Sequence, residues 1–322
     1  MIIRIFFLTM LLFIFQNCIT VFDGGGQTLH LQEFVLAGRD TDKIVIIPIE
    51  GVISEKTNEN FFGIKNDSIV SKIKEQLKKV EFDNTVKGVI LKINSPGGTV
   101  TASDILFNEI KKFKKRTNLP VVSVFMDTSA SGAYYIAMAS DFICAHPTTV
   151  TGSIGVIMQG FNIKEGLEKI GVKDQSFTSG ANKSIGSSTR EMTAEQKKIL
   201  QSVIDSLYNR FFHIVKEGRP SIQEDILKTL ADGRIFTAEQ ALKNGLIDKV
   251  GYFDEFISDV MARKNYRKSP GNNNPRIVVY STERKIIKNI YQVKEVITSN
   301  DNFINKFIGM DTSFKFMYLW NP

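Results

Sequence analysis

The chain has 322 residues, 43% hydrophobic and 23% charged, an ordinary globular composition with apolar residues enough for a sizeable core. Its net charge of +7 permits contact with anionic lipid or nucleic acid without demanding it. Two cysteines, Cys18 and Cys144, give neither a disulfide framework nor zinc-ligand spacing, so no structural metal is expected.

The first eighteen residues, "MIIRIFFLTMLLFIFQNC", carry one positive charge, Arg4, and then an apolar run over 5–15. That length suits the apolar region of an export signal and is short for a full membrane span. Cys18 at its end is a candidate lipid-attachment cysteine of a lipoprotein, with an uncleaved anchor as the alternative. Residues 1–22 therefore read as an export signal, lipoprotein signal or membrane anchor. Each version ties the protein to a membrane through its N-terminus and takes the rest of the chain out of the cytoplasm. Residues 23–42 are broken by "DGGGQ" and "AGRD" and read as a linker.

From residue 43 the pattern becomes regular. "KIVIIPIEGVIS" is β-branched and apolar, a candidate pair of strands. "DSIVSKIKEQLKKV" puts Ile69, Ile73, Leu77 and Val80 on one helical face. The strand "VKGVILKI" precedes a helix, "TASDILFNEIKKFKK", with Ala102, Leu106, Ile110 and Phe113 inward. "PVVSVFM" is a strand, "GAYYIAMA" a helix, "DFICA" a strand in which Cys144 is a small core residue, "NIKEGLEKIG" a short helix and "VKDQSFT" a further strand. A long helix follows Thr193, with Ile199, Val203, Leu207 and Phe211 in register. Two shorter helices lie near 222–230 and 238–244, the second opened by a capping box of Thr237 and Gln240. "IVVYS" is a last strand. Strands alternating with helices predict an α/β fold with mostly parallel pairing, a domain over 43–281 and a tail, 282–322, without clear pattern. In that tail only "FKFMYLW" is apolar enough to dock on the body. The basic run "KKFKKR" at 111–116 is the solvated end of an amphipathic helix, where lysines suit the macrodipole, and no nucleic-acid partner is expected.

Three glycine-marked turns follow predicted strands. In "INSPGGTVTAS", Pro96 sets the turn, and Gly97 and Gly98 allow backbone conformations closed to other residues. Backbone N–H groups left unpaired there would suit an oxyanion. In "DTSASGAYYIAMASD", Ser131 falls between a strand and a helix. Alone, such a serine is a helix cap; with a base and an anion site it is a nucleophile on an elbow, with the Gly132 N–H as a further donor. Ser129 has no such place and is structural. In "TVTGSIGVI", Ser153 lies between two glycines and is either structural or a partner for a catalytic group.

A serine nucleophile needs a base. The three histidines, His30, His146 and His213, have no evident aspartate partner at a turn. Lysine is the other known partner, and the candidate is Lys183, the one lysine of the Gly/Ser-rich stretch "TSGANKSIGSSTREM". A lysine that serves as base near neutral pH must be held about three pKa units below its usual value, roughly 4 kcal/mol of differential solvation. Burial against apolar walls is required.

In combination, "INSPGG", "ASGAYYIA", "TGSIGV", "SGANK", "STREMTAEQ" and "ADGRIFTAEQALKNGLID" resemble, in order, the blocks of the signal peptide peptidases of the SppA type. These are serine peptidases with a Ser–Lys dyad. The resemblance runs from about residue 43 to 280. It implies a Clp-protease/crotonase-like superhelix of β-β-α units with a helical C-terminal arm. It implies Ser131 as nucleophile, Lys183 as general base, oxyanion donors among Gly97, Gly98 and Gly132, and Ser153 orienting the lysine. No metal or nucleotide cofactor is needed. Substrates would be cleaved signal peptides and other short apolar peptides, and the assembly a homo-oligomeric ring in which the lysine reaches the serine of a neighbouring subunit. Two positions depart from the family pattern: Ala133, where glycine is common, and Ser184 after the lysine, where an acidic residue is common. The same fold also serves crotonase-type acyl-CoA enzymes and inactive peptide-binding scaffolds, which are the alternatives.

Overall fold

A computed structural model describes residues 31–59, 65–282, 287–293 and 316–320; Cys18, the apolar run of 5–15 and His30 lie outside them. The described residues open inside the expected linker with a strand, β1 (Gln32–Ala37). Phe34 and Leu36 alternate towards the core while Val35 faces solvent, which makes β1 a half-buried edge strand. "KIVIIPIE" forms one strand, β2 (Lys43–Glu50), not a pair, and Ile53 makes only an isolated bridge to Gly98. A short hairpin, β3 (Asn58–Glu59) with β4 (Lys65–Asn66), precedes α1 (Ile69–Glu81). Then come β5 (Val86–Ser95), β6 (Gly97–Thr99) and α2 (Val100–Thr117). They are followed by β7 (Val121–Ala130), α3 (Gly132–Ala137), β8 (Phe142–Ala145) and β9 (Val150–Gly152).

The second half holds α4 (Lys164–Lys169), α5 (Ala194–Gly218), α6 (Glu224–Leu230), β10 (Ile235–Thr237) and α7 (Ala238–Lys243). It closes with β11 (Lys249–Val250), α8 (Phe253–Met261), β12 (Arg276–Ser281) and β13 (Met317–Leu319). The string "TAEQ" occurs at both 193–196 and 237–240, and each time the threonine and glutamine close a capping box.

Nine strands form one sheet in the order β1-β12-β2-β5-β7-β8-β11, with β9 on the far half of β7 and β10 on β9. Every pair from β12 to β11 is parallel; β1 and β10 join antiparallel. Parallel strands covered on both faces are apolar almost throughout. Thus Val45, Ile47 and Ile49 of β2 pack with Ile73, Leu106 and Ile110 of α1 and α2, while Ile44 and Ile46 pack with Phe253, Phe256 and Val260 of α8.

Two expectations fail in the second half. "VKDQSFT" is not a strand: residues 172–178 are irregular and exposed, with Phe177 wholly so, because no described strand lies beside them. In α5 only Phe211 of the four aligned apolar residues is buried; Val203 is 36% exposed, so the start of the helix stands clear of the core. Within the tail, residues 316–320 carry structure. There β13 pairs antiparallel with β6, and Tyr318 is fully buried.

Candidate active site

The three glycine-marked turns meet because the strands before them are neighbours. Ser129 of β7 pairs with Ser95 of β5 on one side and with Thr151 of β9 on the other. The chain leaves β5 into Gly97, β7 into Ser131 and β9 into Ser153, all at the carboxyl ends of parallel strands, where open α/β sheets bind ligands. Ser129 is structural, as expected: its hydroxyl donates to the Ile93 carbonyl at 2.9 Å.

Ser131 is not a helix cap. Its side chain makes no capping bond to α3, and its backbone stands at φ 55, ψ −115. A non-glycine residue is held in such a conformation at a cost of about 1–3 kcal/mol, and such strain clusters at functional sites. Here the surroundings enforce it. The Ser131 N–H donates to Gly152 O at 2.8 Å, and Ser131 O accepts from Tyr135 N at 2.9 Å. The turn is therefore pinned to β9 and to the helix it opens. That helix is anchored by two buried tyrosines: the Tyr134 hydroxyl donates to Leu246 O at 2.8 Å, and the Tyr135 hydroxyl to Asp104 Oδ1 at 2.5 Å. Burial pushes the Tyr134 phenol up to about 12, and burial with the adjacent Asp104 carboxylate raises that of Tyr135. Both stay neutral donors.

The amide donors follow from β6. Gly97 O accepts from Ile53 N, and Thr99 N donates to Ile53 O, both at 2.9 Å. Gly97 N donates to Ser95 Oγ at 3.1 Å. Along a strand successive N–H groups alternate in direction, so Gly98 N–H turns to the opposite edge, where β13 lies with Tyr318 across from Gly98. The Tyr318 carbonyl oxygen is 2.1 Å from where a Cβ on Gly97 would stand, and Gly132 N is 2.7 Å from the same point. Measured from a Cβ on Gly132, Gly98 N and Tyr318 O are each 3.1 Å away. The Tyr318 carbonyl and the Gly98 and Gly132 amides thus lie close together around Gly97. Gly97 contributes the missing side chain and a φ of 104, with its own N–H already bonded to Ser95.

The extended segment around β13 is laid down as an added strand. Beyond the β6 pairing, Trp320 N donates to Pro96 O and Met317 N to Ile157 O, each at 2.9 Å. A peptide held between two edges in this way is β-augmentation.

Ser153 lies one residue past the β9 partner of Ala130, at φ 50, nearly buried, with its N–H on Arg234 O at 2.7 Å. Lys183 is elsewhere in character. It is exposed in a run of turns, its N–H on Gly180 O at 3.1 Å, and no hydrogen bond joins its amine to Ser131 or Ser153. Of the histidines, His146 pairs with Thr148 Oγ1 at 3.0 Å and meets Tyr252 edge-on, and His213 is exposed on α5. Cys144 is a buried free thiol whose pKa burial raises. Sequence reasoning missed Ser95, which fixes Gly97. It also missed the place of Tyr318; the apolar "FKFMYLW" was its only signal.

A protein of Enterococcus faecium named "Putative signal peptide peptidase SppA" is 39% identical over 239 residues, 74% of this chain and 69% of that one. The family model Peptidase family S49 matches residues 113–267, and the model Clp protease matches residues 58–149. The chain belongs to peptidase family S49. Protease 4 of Haemophilus influenzae is 34% identical over 231 residues, 70% of this chain but 36% of that protein. Serine protease SPPA, chloroplastic, of Arabidopsis thaliana is 31% identical over 226 residues, 70% of this chain and 33% of that one. The S49 match spans Ser131, Ser153 and Lys183, and the Clp protease match spans Gly97, Gly98, Ser131 and Gly132. The expected Clp-protease-like α/β fold is borne out, and the protein is a serine-type peptidase of family S49 rather than an acyl-CoA enzyme.

Proposed function

We propose that the protein is an endopeptidase that hydrolyses cleaved signal peptides and other short apolar peptides through a Ser131–Lys183 dyad, the lysine coming from a neighbouring copy in a homo-oligomeric ring. The observation that carries this reading is the strained elbow at Ser131, beside two amides that lie close to a peptide carbonyl. The Ser131 hydroxyl attacks the scissile carbonyl and its proton passes to the Lys183 amine. The developing oxyanion lies against the Gly98 and Gly132 N–H groups. Collapse expels the amine product with the proton returned by the lysine, and water deacylates the serine by the same route. Ser153, at the end of the adjoining strand, orients the lysine.

The neighbouring copy is argued from solvation. A basic lysine must be desolvated, yet Lys183 is exposed in a single chain, on a segment that also exposes Phe161, Ile163, Ile170, Val172 and Phe177. Apolar residues at such density suit an interface. Among the described residues no helix is long and apolar enough to cross a membrane. The membrane tether is assigned to residues 1–22, by lipid on Cys18 or by the apolar run itself, which sets the catalytic domain outside the cytoplasm.

Labelling by a fluorophosphonate probe tests the dyad: wild type is labelled, Ser131→Ala and Lys183→Ala are not. Co-assembling the two inactive variants restores peptide hydrolysis if the dyad is shared between copies. If each is inactive and mixing restores nothing, the lysine does not act across subunits. Radiolabelled palmitate on the wild type, absent from Cys18→Ala, supports lipidation; membrane association without label supports the anchor.

A further inference from the structure

Every residue from 172 to 183 is exposed, so the segment that leads to the proposed base has no apolar core of its own. What holds it is polar. Asp174 and Arg190 stand at the two ends of a loop with Lys183 between them, and Arg190 forks onto the carboxylate. Its Nε donates to Asp174 Oδ2 at 2.8 Å and its Nη2 to Asp174 Oδ1 at 3.1 Å. The same carboxylate accepts from Thr189 Oγ1 at 2.6 Å and from Ser176 N at 2.7 Å. Each oxygen therefore takes two hydrogen bonds, the full acceptor capacity of a carboxylate. Arg190 Nη2 also donates to the Ser176 carbonyl. The Arg190 guanidinium, helped by Ser176 and Thr189, holds the Asp174 carboxyl well below the usual carboxylate range. The pair thus stays charged at any pH where a lysine serves as base.

The neck of the loop is tied in turn to its flanks. Gln196, buried at the start of α5, donates from Nε2 to the Ala181 carbonyl at 2.8 Å, and Ile163 N, just before α4, donates to Ser188 O at 2.8 Å. Inside the loop, Lys183 N, Ile185 N and Ser187 N each bond to the carbonyl three residues back, a run of tight turns. Such turns set local shape but not where the two arms of the loop lie; the charged fork joins the arms. An ordinary exposed ion pair contributes little, but a bidentate fork on a carboxylate with no acceptor position to spare is a geometric constraint as well as an attraction. We propose that Asp174 and Arg190 are a positioning pair for the base. Neither acts on the substrate; together they hold the loop in the shape in which Lys183 meets Ser131 of a neighbouring copy. This proposal rests on the dyad reading above and adds to it the residues that set the place of the lysine. A loop shaped before docking loses less freedom on association, and a catalytic group displaced by about 1 Å can cost about 10²-fold in rate.

The test compares full-length Asp174→Asn, Arg190→Gln and Arg190→Lys with wild type on one apolar peptide substrate. Asp174→Asn and Arg190→Gln should lower kcat by about 10–10²-fold with KM little changed. The rising limb of the kcat profile against pH should move up by about one unit, because a loosely held lysine regains water and returns towards its ordinary pKa. Arg190→Lys keeps the charge without the fork and should recover only part of the rate. Melting temperatures should match wild type, since neither side chain touches the core; if Arg190→Gln melts early, Asp174→Asn and Arg190→Lys carry the comparison. Amide hydrogen exchange over 176–188 should quicken by roughly tenfold in Asp174→Asn. Wild-type kcat and pH limb in Asp174→Asn overturn the proposal, as does unchanged exchange. So does a loss of rate that higher protein concentration restores with the pH limb unmoved, which makes the pair a matter of association alone. Full activity in Lys183→Ala sinks the dyad and this role together, whereas an inactive Lys183→Ala beside a wild-type Asp174→Asn sinks this role and leaves the dyad standing.

Discussion

Ser131 and Lys183 sit in opposite surroundings. Ser131 is 1% exposed, pinned through its own N–H and C=O, and flanked by strands whose partners come from three parts of the chain. Lys183 is exposed on turns held mostly by local bonds, in a segment where Phe177 is bare. In the proposed dyad the serine and the Gly98 and Gly132 amides stand together within one copy, whereas the exposed lysine has no apolar enclosure there. Under the proposed dyad, which needs a desolvated lysine, the missing enclosure would come from a neighbouring copy.

The largest break in that contrast is chemical. Ser131→Ala should lower kcat for peptide hydrolysis by about 10⁴-fold or more, and Lys183→Ala by a comparable factor, since members of a catalytic unit are not additive. The two should differ in a thermal melt. Lys183→Ala removes an exposed side chain and should leave stability within about 0.5 kcal/mol. The next effect belongs to the donors. A Cβ on Gly98 would fall 1.9 Å from Ile53 O, a backbone atom that cannot swing away. Gly98→Ala should therefore displace the amide and reduce kcat by about 10²–10³, measured beside intact fluorescence of the lone tryptophan.

What was legible in the sequence divides along the same line. The three strand-end turns could be read because their chemistry is local: Pro96 and the glycines announce positive φ and tight reversal. The helices α1 and α2 could be read because their apolar period is unbroken. The strands β1 and β13 could not, because their partners are remote: Gln32 lies opposite Ser281, and Met317 opposite Thr99. Nor could it be read that the Gly97 N–H bonds to Ser95 while Gly98 faces β13, since that depends on which edge Ile53 occupies. Residues 172–178 are open to a strand reading, but a strand needs a neighbour, and among the described residues of one chain it has none. The Val203 face of α5 is legible as apolar for the same reason and unburied for the same reason.

A smaller effect sharpens the assembly side. Phe177→Asp should leave the melting temperature nearly unchanged, because the side chain touches no core, and should weaken self-association, read by sedimentation velocity. Peptidase activity should fall by roughly tenfold at a fixed low protein concentration and recover as concentration rises, by mass action. Loss of activity that concentration does not restore would place Phe177 outside any interface.

The smallest effect tests the strain itself. At φ 55 and ψ −115 the Ser131 backbone lies where a side chain is unfavourable and glycine is at ease. Ser131→Gly and Ser131→Ala both remove the hydroxyl and should be equally inactive, so any difference between them reports the backbone. Glycine carries an entropic cost of up to about 1 kcal/mol in the unfolded chain, against a strain of about 1–3 kcal/mol that it relieves. The net expectation is that Ser131→Gly is the more stable by about 1 kcal/mol, a rise of roughly 2–4 °C in melting temperature for a domain of this size. Equal melting temperatures would mean that Gly152 and Tyr135 hold the elbow without strain. The turn at Ser131 would then be a product of hydrogen bonding alone.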